Sequence, residues 1–239
     1  MNNLSFNKKF RFYGRRVGRK LSKANSLALK QGEKDYLIKL KDMKKEQPKI
    51  FPLDLFLPKS KKIIIEIGFG SGTNLINSAI KNSEISYIGA DPFLNTTARL
   101  IRDLFNNKIT NIQIWPDDIR EILPFFPNNS VAEVKILFPD PWPKTKHKDR
   151  RLIQDSFIDV LYHILIPNGT ITLATDHSTL KSWILEVFQG HKGYFWTANH
   201  KYDWQQRPLD CFATKYEQKS IEAKRDPSWF IFKKIICNR

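Results

Sequence analysis

With 239 residues, 41% of them apolar, the chain can bury the core of one sizeable α/β domain with an extension but not two full domains. Its formal net charge of +16 is uneven, since residues 1–62 hold 18 Lys/Arg against 5 Asp/Glu while residues 63–239 hold 22 against 19, and so basic an arm expects a polyanion. The absence of any apolar run near the roughly 20 residues of a membrane span, of an apolar segment within Met1–Lys20, and of metal spacing around Cys211 and Cys237 argues against a membrane, secreted or zinc protein and for a cytoplasmic one.

Residues 1 to about 30, with Phe10-Arg11-Phe12-Tyr13-Gly14-Arg15-Arg16-Val17-Gly18-Arg19-Lys20, mix cations, aromatics and glycines without a sustained period. They predict a flexible arm that orders on its partner. Residues 34–47 allow a short charged helix at most, and Pro48, Pro52 and Pro58 carry an extended connection, so residues 1–60 form the arm and residues 61–239 the folded domain.

Ile63-Ile64-Ile65-Glu66-Ile67 is a β-branched run of the kind that fills a central parallel strand. It ends in Gly68-Phe69-Gly70-Ser71-Gly72, whose alternate glycines let the backbone turn tightly against a ligand at the start of a helix over Thr73–Lys81. No Gly-Lys-Ser/Thr follows, which excludes the NTPase phosphate loop, and Thr73 stands where the dinucleotide motif has its third glycine. A plain strand-to-helix turn would look the same.

The next strand, Ser86–Ala90, ends in Asp91, placed to accept hydrogen bonds from two ribose hydroxyls. A helix from Pro92 to about Asn106 and a third strand, Asn111–Trp115, deliver Asp117 and Asp118 to the same sheet edge. Either acid suits an adenine amino group, and either suits the cap of a helix beginning near Ile119.

A fourth strand runs from Val134 to Phe138 and stops at Pro139. Three prolines in Pro139-Asp140-Pro141-Trp142-Pro143 make a rigid loop that presents Asp140 and Trp142 at the strand's carboxyl end, where open α/β sheets bind ligands. Lys144, Lys146, Lys148, Arg150 and Arg151 follow, a density that suits phosphates next to a flat group. Downstream, a helix over Arg151–Ile164, a turn at Pro167-Asn168-Gly169, a strand over Thr170–Ala174 tipped by Thr175 and Asp176, and a helix over Ser178–Phe188 continue the βα alternation. Strand-like segments at Tyr194–Thr197 and Trp229–Ile236 flank a polar insert containing Thr214-Lys215-Tyr216-Glu217.

Glu66-Ile67-Gly68-Phe69-Gly70-Ser71-Gly72 with a strand-tip acid resembles the cofactor motifs of class I S-adenosylmethionine-dependent methyltransferases. Phe138-Pro-Asp-Pro-Trp-Pro-Lys-Thr-Lys-His-Lys-Asp-Arg-Arg151, with Arg15-Arg16-Val17-Gly18-Arg19 and Thr214–Glu217, resembles bacterial tRNA (guanine-N7-)-methyltransferases. The resemblance implies a Rossmann-like α/β fold, a seven-stranded, mostly parallel sheet with helices on both faces. It implies S-adenosyl-L-methionine held by Glu66, Gly68, Gly70, Gly72, Asp91, Asp118 and Asp140, with Asp140 also the catalytic candidate. It assigns Lys144, Asp176, Thr214, Lys215, Tyr216 and Glu217 to substrate and Lys146, His147, Lys148, Asp149, Arg150 and Arg151 to RNA contact. The implied target is guanine 46 in the tRNA variable loop, with no metal and a monomeric or homodimeric enzyme. Asp91 stands where the family usually has glutamate, and Asp149 where it usually has a further cation.

Two other functions fit the same residues. Asp140-Pro141-Trp142 after the fourth strand also resembles the acid-proline-aromatic motif of amino-methylating enzymes, and the fold could serve an inactive RNA-binding protein. Guanine N7 has an in-plane lone pair and no proton, so its methylation needs alignment and charge stabilisation rather than a base.

Overall fold

The computed structural model describes residues 12–39 and 62–236. The connection through Pro48, Pro52 and Pro58, most of the expected helix over 34–47, and Cys237 lie outside these residues.

Seven strands form one sheet in the order β3-β2-β1-β4-β5-β7-β6. They are β1 (Lys62–Ile67), β2 (Ile85–Ala90), β3 (Ile112–Trp115), β4 (Val131–Leu137), β5 (Leu165–Thr175), β6 (Tyr194–Trp196) and β7 (Ser228–Lys234). The first five pair in parallel, while β7 runs antiparallel to both β5 and β6. Parallel neighbours need crossovers, and the helical periods between the strands supply them. Helices α1 (Lys23–Tyr36), α2 (Thr73–Lys81) and α3 (Leu94–Asn107) close a core around Leu75, Tyr87, Leu100 and Leu104. Helices α4 (Asp155–Ile164) and α5 (Ser178–Gly190) close a second core around Val134, Ile136, Leu161 and Ile184. With every carboxyl end of β1 to β5 on one edge, the order 3-2-1-4-5 reverses its sense between β1 and β4, and a crevice opens there.

The expected seven-stranded Rossmann-like fold is present, with four local departures. Residues 23–30, expected as part of a flexible arm, begin helix α1, which runs on to Tyr36. Ser22 caps it by accepting from the Asn25 N–H at 3.2 Å, and Ala28, Gly32 and Tyr36 form one buried stripe. A Cβ on Gly32 would lie 2.3 Å from Ile101 Cγ2, so only glycine lets α1 approach α3 this closely. Near Ile119 there are two 3₁₀ turns, Ile119–Glu121 and Leu123–Phe125, because Pro124 removes a backbone donor. Helix α4 begins at Asp155 rather than Arg151. Pro167-Asn168-Gly169 is a bulge inside β5 and not a separate turn: the register with β4 jumps from Val131↔Leu165 to Glu133↔Thr170, Asn168 takes φ 63°, and a Cβ on Gly169 would sit 2.9 Å from the Ile166 carbonyl oxygen.

Candidate active site

Gly68, Gly70 and Gly72 all take left-handed φ values, 75°, 52° and 74°, as the alternation of glycines requires. The loop is pinned by Gly68 N–H to the Ala90 carbonyl at 2.7 Å and Gly72 N–H to the Phe69 carbonyl at 2.8 Å. Asp91 holds it from the neighbouring strand: one oxygen accepts from Gly70 N–H and the other from Phe93 N–H, both at 2.9 Å. Burial raises the Asp91 pKa against these hydrogen bonds.

Above the loop lies a cleft of about 480 Å³, in the size range of small-molecule sites. Gly68, Gly70, Asp91, Asp118 and Asp140 of the expected cofactor set line it, together with Trp142. Gly72 and Glu66 are not on its wall. Glu66 lies beneath the loop, 3% exposed, where it accepts from Asn74 Nδ2 at 2.7 Å; burial pushes its pKa up to about 7. Asn74 Oδ1 in turn accepts from the Phe212 N–H at 2.8 Å. Asp118 receives Nε and Nη2 of Arg120 at 2.9 and 2.6 Å, and Asp117 accepts its neighbour's N–H at 2.7 Å while pairing with Arg16.

The arm forms the roof. Phe12 to Arg15 line the cleft, and the chain beyond is stitched to the start of α3. Leu94 N–H donates to the Arg16 carbonyl at 2.9 Å, Gly18 N–H to Asn95 Oδ1 at 2.8 Å, and Asn95 Nδ2 to the Arg19 carbonyl at 2.7 Å. The motif Arg15–Arg19 is visible in the sequence; its docking on the start of α3 and on Asp117 is not.

At the tip of β4 the proline loop is held in an unusual shape, with φ of 54° at Phe138 and 40° at Trp142, both left-handed without being glycine. Asp140 between them is exposed. The basic run folds into a 3₁₀ turn, Thr145–Arg150, with Lys144, Lys146, Lys148 and Asp149 exposed. Arg150 is stacked between two rings, 4.9 Å from the centre of Tyr13 and 5.0 Å from that of Trp142. His147 meets Trp142 edge-on at 5.7 Å, and its pKa is lowered by desolvation and then by Arg150, Lys146 and Lys144. Arg151, expected among the phosphate contacts, points inward instead. It is 5% exposed, donates to the Trp142 carbonyl at 3.2 and 3.3 Å and lies 4.8 Å from the Trp183 ring, so its charge closes the loop. That closure is why α4 starts late.

The expected substrate group is divided. Helix α6 (Lys215–Glu222) starts at Thr214, whose hydroxyl accepts from Glu217 N–H at 3.1 Å. Tyr216, 54% exposed, lines the cleft, whereas Glu217 is buried in an ion pair with Arg207 at 3.0 Å. Lys215 and Lys144 are exposed outside the cleft lining. Asp176 accepts from Ser220 Oγ at 2.7 Å and Arg225 Nε at 2.6 Å; burial acts to raise its pKa, but these donors outweigh it and the pKa is lowered. Thr214, Glu217 and Asp176 therefore fix α6, and Tyr216 is the member that faces the cleft.

Among the described residues no group of three or more His, Cys, Asp or Glu is arranged to hold a metal, and no helix is long and apolar enough to cross a membrane. Residues 60–229 match the family model described as "Putative methyltransferase". A tRNA (guanine-N(7)-)-methyltransferase of Rhodospirillum rubrum is 33% identical over 224 residues, covering 94% of this chain and 88% of the relative. The enzyme of the same description from Azorhizobium caulinodans is 34% identical over 224 residues, 94% of this chain and 95% of the relative. In structure, the 16S rRNA methyltransferase KamB aligns with a TM-score of 0.54 at 10% identity, covering 74% of this chain and 89% of that one, a likeness of fold alone. Glycine loop, strand-tip acids and proline loop thus stand in a chain that belongs to the tRNA (guanine-N(7)-)-methyltransferase family.

Proposed function

We propose that the protein transfers a methyl group from S-adenosyl-L-methionine to N7 of guanine 46 in the variable loop of tRNA, in the cytoplasm. The observation that carries this reading is that one cleft joins the left-handed glycine loop to Asp140 and Trp142, with exposed cations on its rim. The residues present fit the cofactor. A Cβ on Gly68 would meet nothing within 4 Å, so this left-handed glycine borders open space, and one on Gly70 would lie 3.3 Å from the Tyr216 ring. Gly68, Gly70, Asp91 and Asp118 would hold the cofactor, which when bound supplies an electrophilic methyl group on a sulfonium.

The chain's own part is alignment and charge. As N7 is methylated the purine becomes a cation, and the exposed Asp140 carboxylate is placed to stabilise it. Trp142, fixed by Arg151 below and flanked by Arg150, gives the cleft a rigid aromatic wall. Asp91 keeps the glycine backbone in place, so the donor side needs no rearrangement. Incubation of the protein with methyl donor and unmodified tRNA, followed by nucleoside digestion and mass analysis, is expected to give N7-methylguanosine from the variable loop. Methylation on an exocyclic amine, or none, would overturn the assignment.

Lys146 and Lys148 project from the rim, and each neutralised phosphate releases counterions. Replacing either by glutamine is expected to lower the slope of log affinity for tRNA against log salt by roughly one unit while cofactor affinity stays constant. An unchanged slope would make the turn a solvated surface. Arg151→Gln should behave differently, destabilising the loop itself.

A further inference from the structure

Lys135 stands in the middle of β4, paired across the sheet with Glu66 on β1 and Thr172 on β5, and is 2% exposed. An ammonium in the interior of a sheet is costly unless it is paired and hydrogen-bonded. Its Nζ donates to Asp210 twice, to Oδ2 at 2.7 Å and to the carbonyl at 3.0 Å, approaches Cys211 Sγ at 3.6 Å and lies 3.8 Å from Glu133 Oε2. Glu133 accepts from Thr172 Oγ1 at 2.8 Å. Burial acts against the charge, but Glu133 and Asp210 outweigh it and raise the Lys135 pKa, while burial pushes the Cys211 thiol up to about 12. The ion pair joins the sheet to the insert that leads into α6.

That insert has two more ties. Cys211 packs with Leu137, Ala174 and Trp229, and Phe212 N–H reaches Asn74 Oδ1 at 2.8 Å. Two residues on, Thr214 caps α6, and Tyr216 reaches the cleft. The other end of α6 is held through Ser220 and Arg225 to Asp176.

We propose that Lys135 is a positioning residue for methyl transfer: by anchoring Asp210 and Cys211 to the sheet it sets the first turn of α6, and so the place of Tyr216 on the cleft wall. The inference rests on the methyl-transfer reading of that cleft. The Asp210 side chain is 59% exposed although Lys135 is not, so the latch is fastened at the surface to a cation rooted in the core.

Lys135→Met keeps length and apolar contact and removes the buried charge; since alone it would leave Glu133 without its cation, it is made together with Glu133→Gln, so that the buried pair goes as a whole, a change often near neutral for stability. The expected result is a melting temperature near that of the parent, a fall in kcat/KM for tRNA of about 10-fold, and faster backbone hydrogen exchange confined to Phe212–Tyr216 while β4 and β5 stay protected. Tyr216→Ala should add little to that loss in the background of this double variant. Lys135→Arg should restore part of the activity. Should the double variant fail to fold, Asp210→Asn keeps the carbonyl acceptor and should give the same signature more weakly. Unchanged exchange at 212–216 with unchanged kcat/KM would overturn the proposal, as would a loss that merely tracks the melting temperature. If the parent protein itself methylates no tRNA, the functional reading fails, and the exchange pattern still decides whether the latch exists.

Discussion

Asp140→Asn is expected to lower turnover about 10²-fold or more while tRNA affinity changes little. The substitution keeps the shape of the side chain and removes its charge. Unlike Asp91, Asp118 and Asp176, whose carboxylates are engaged by backbone, hydroxyl or arginine donors, Asp140 lies exposed at the tip of β4 and lines the cleft. A carboxylate that matters only as the purine turns cationic acts in the transition state and hardly at all in the ground state, so its loss should appear in kcat rather than in binding. A hundredfold loss corresponds to about 2.7 kcal/mol of transition-state stabilisation. Single-turnover rates at saturating tRNA, with affinities measured separately, check both halves. A normal rate would make Asp140 a turn residue.

The largest effect is expected from a change in the substrate. A tRNA carrying 7-deazaguanine at the variable-loop site keeps the exocyclic amine, the pairing edge and the ring shape, but carbon replaces the nitrogen that bears the lone pair. It should bind with nearly normal affinity and accept no methyl group. An enzyme that methylates an amine must dispose of a proton as the bond forms, whereas N7 releases none. Among the described residues no histidine is hydrogen-bonded to Asp140; His147 meets Trp142 edge-on, and its pKa is lowered by desolvation and then by the surrounding cations. Labelled methyl incorporation into the analogue would move the protein to the amine-methylating class.

Much of this site is written in local pattern. Ile63–Ile67 with the glycines that follow, the acids at successive strand tips, and the prolines around Asp140 each constrain the backbone over a few residues, so the sheet edge and its chemistry could be placed from sequence. What escaped depends on distant partners. The stripe Ala28, Gly32, Tyr36 is hidden among lysines, and its meaning appears only when Ile101 and Phe105 lie against it. Arg151 has the same local setting as Lys148, yet its guanidinium finds the Trp142 carbonyl and the Trp183 ring, 32 residues along the chain. The family resemblance places Thr214, Glu217 and Asp176 in one substrate group; in the structure the N-cap bond, the pair with Arg207 and the bonds from Ser220 and Arg225 engage them at α6 and its flanks. Lys135 interrupted an apolar run in plain view, and nothing local named its counter-ion 75 residues later.

The left-handed backbone at Phe138 and Trp142 stores strain beside the site. Each such residue costs roughly 1–2 kcal/mol that glycine would not incur, offset in part by the extra disorder glycine brings to the unfolded chain. Glycine at either position would relieve that backbone cost alone. The same replacements would strip the site of its indole wall and of the Phe138–Trp229 ring contact, and would free the hinge points on either side of Asp140. Relief of backbone strain and retention of the aromatic wall therefore pull in opposite directions across this loop.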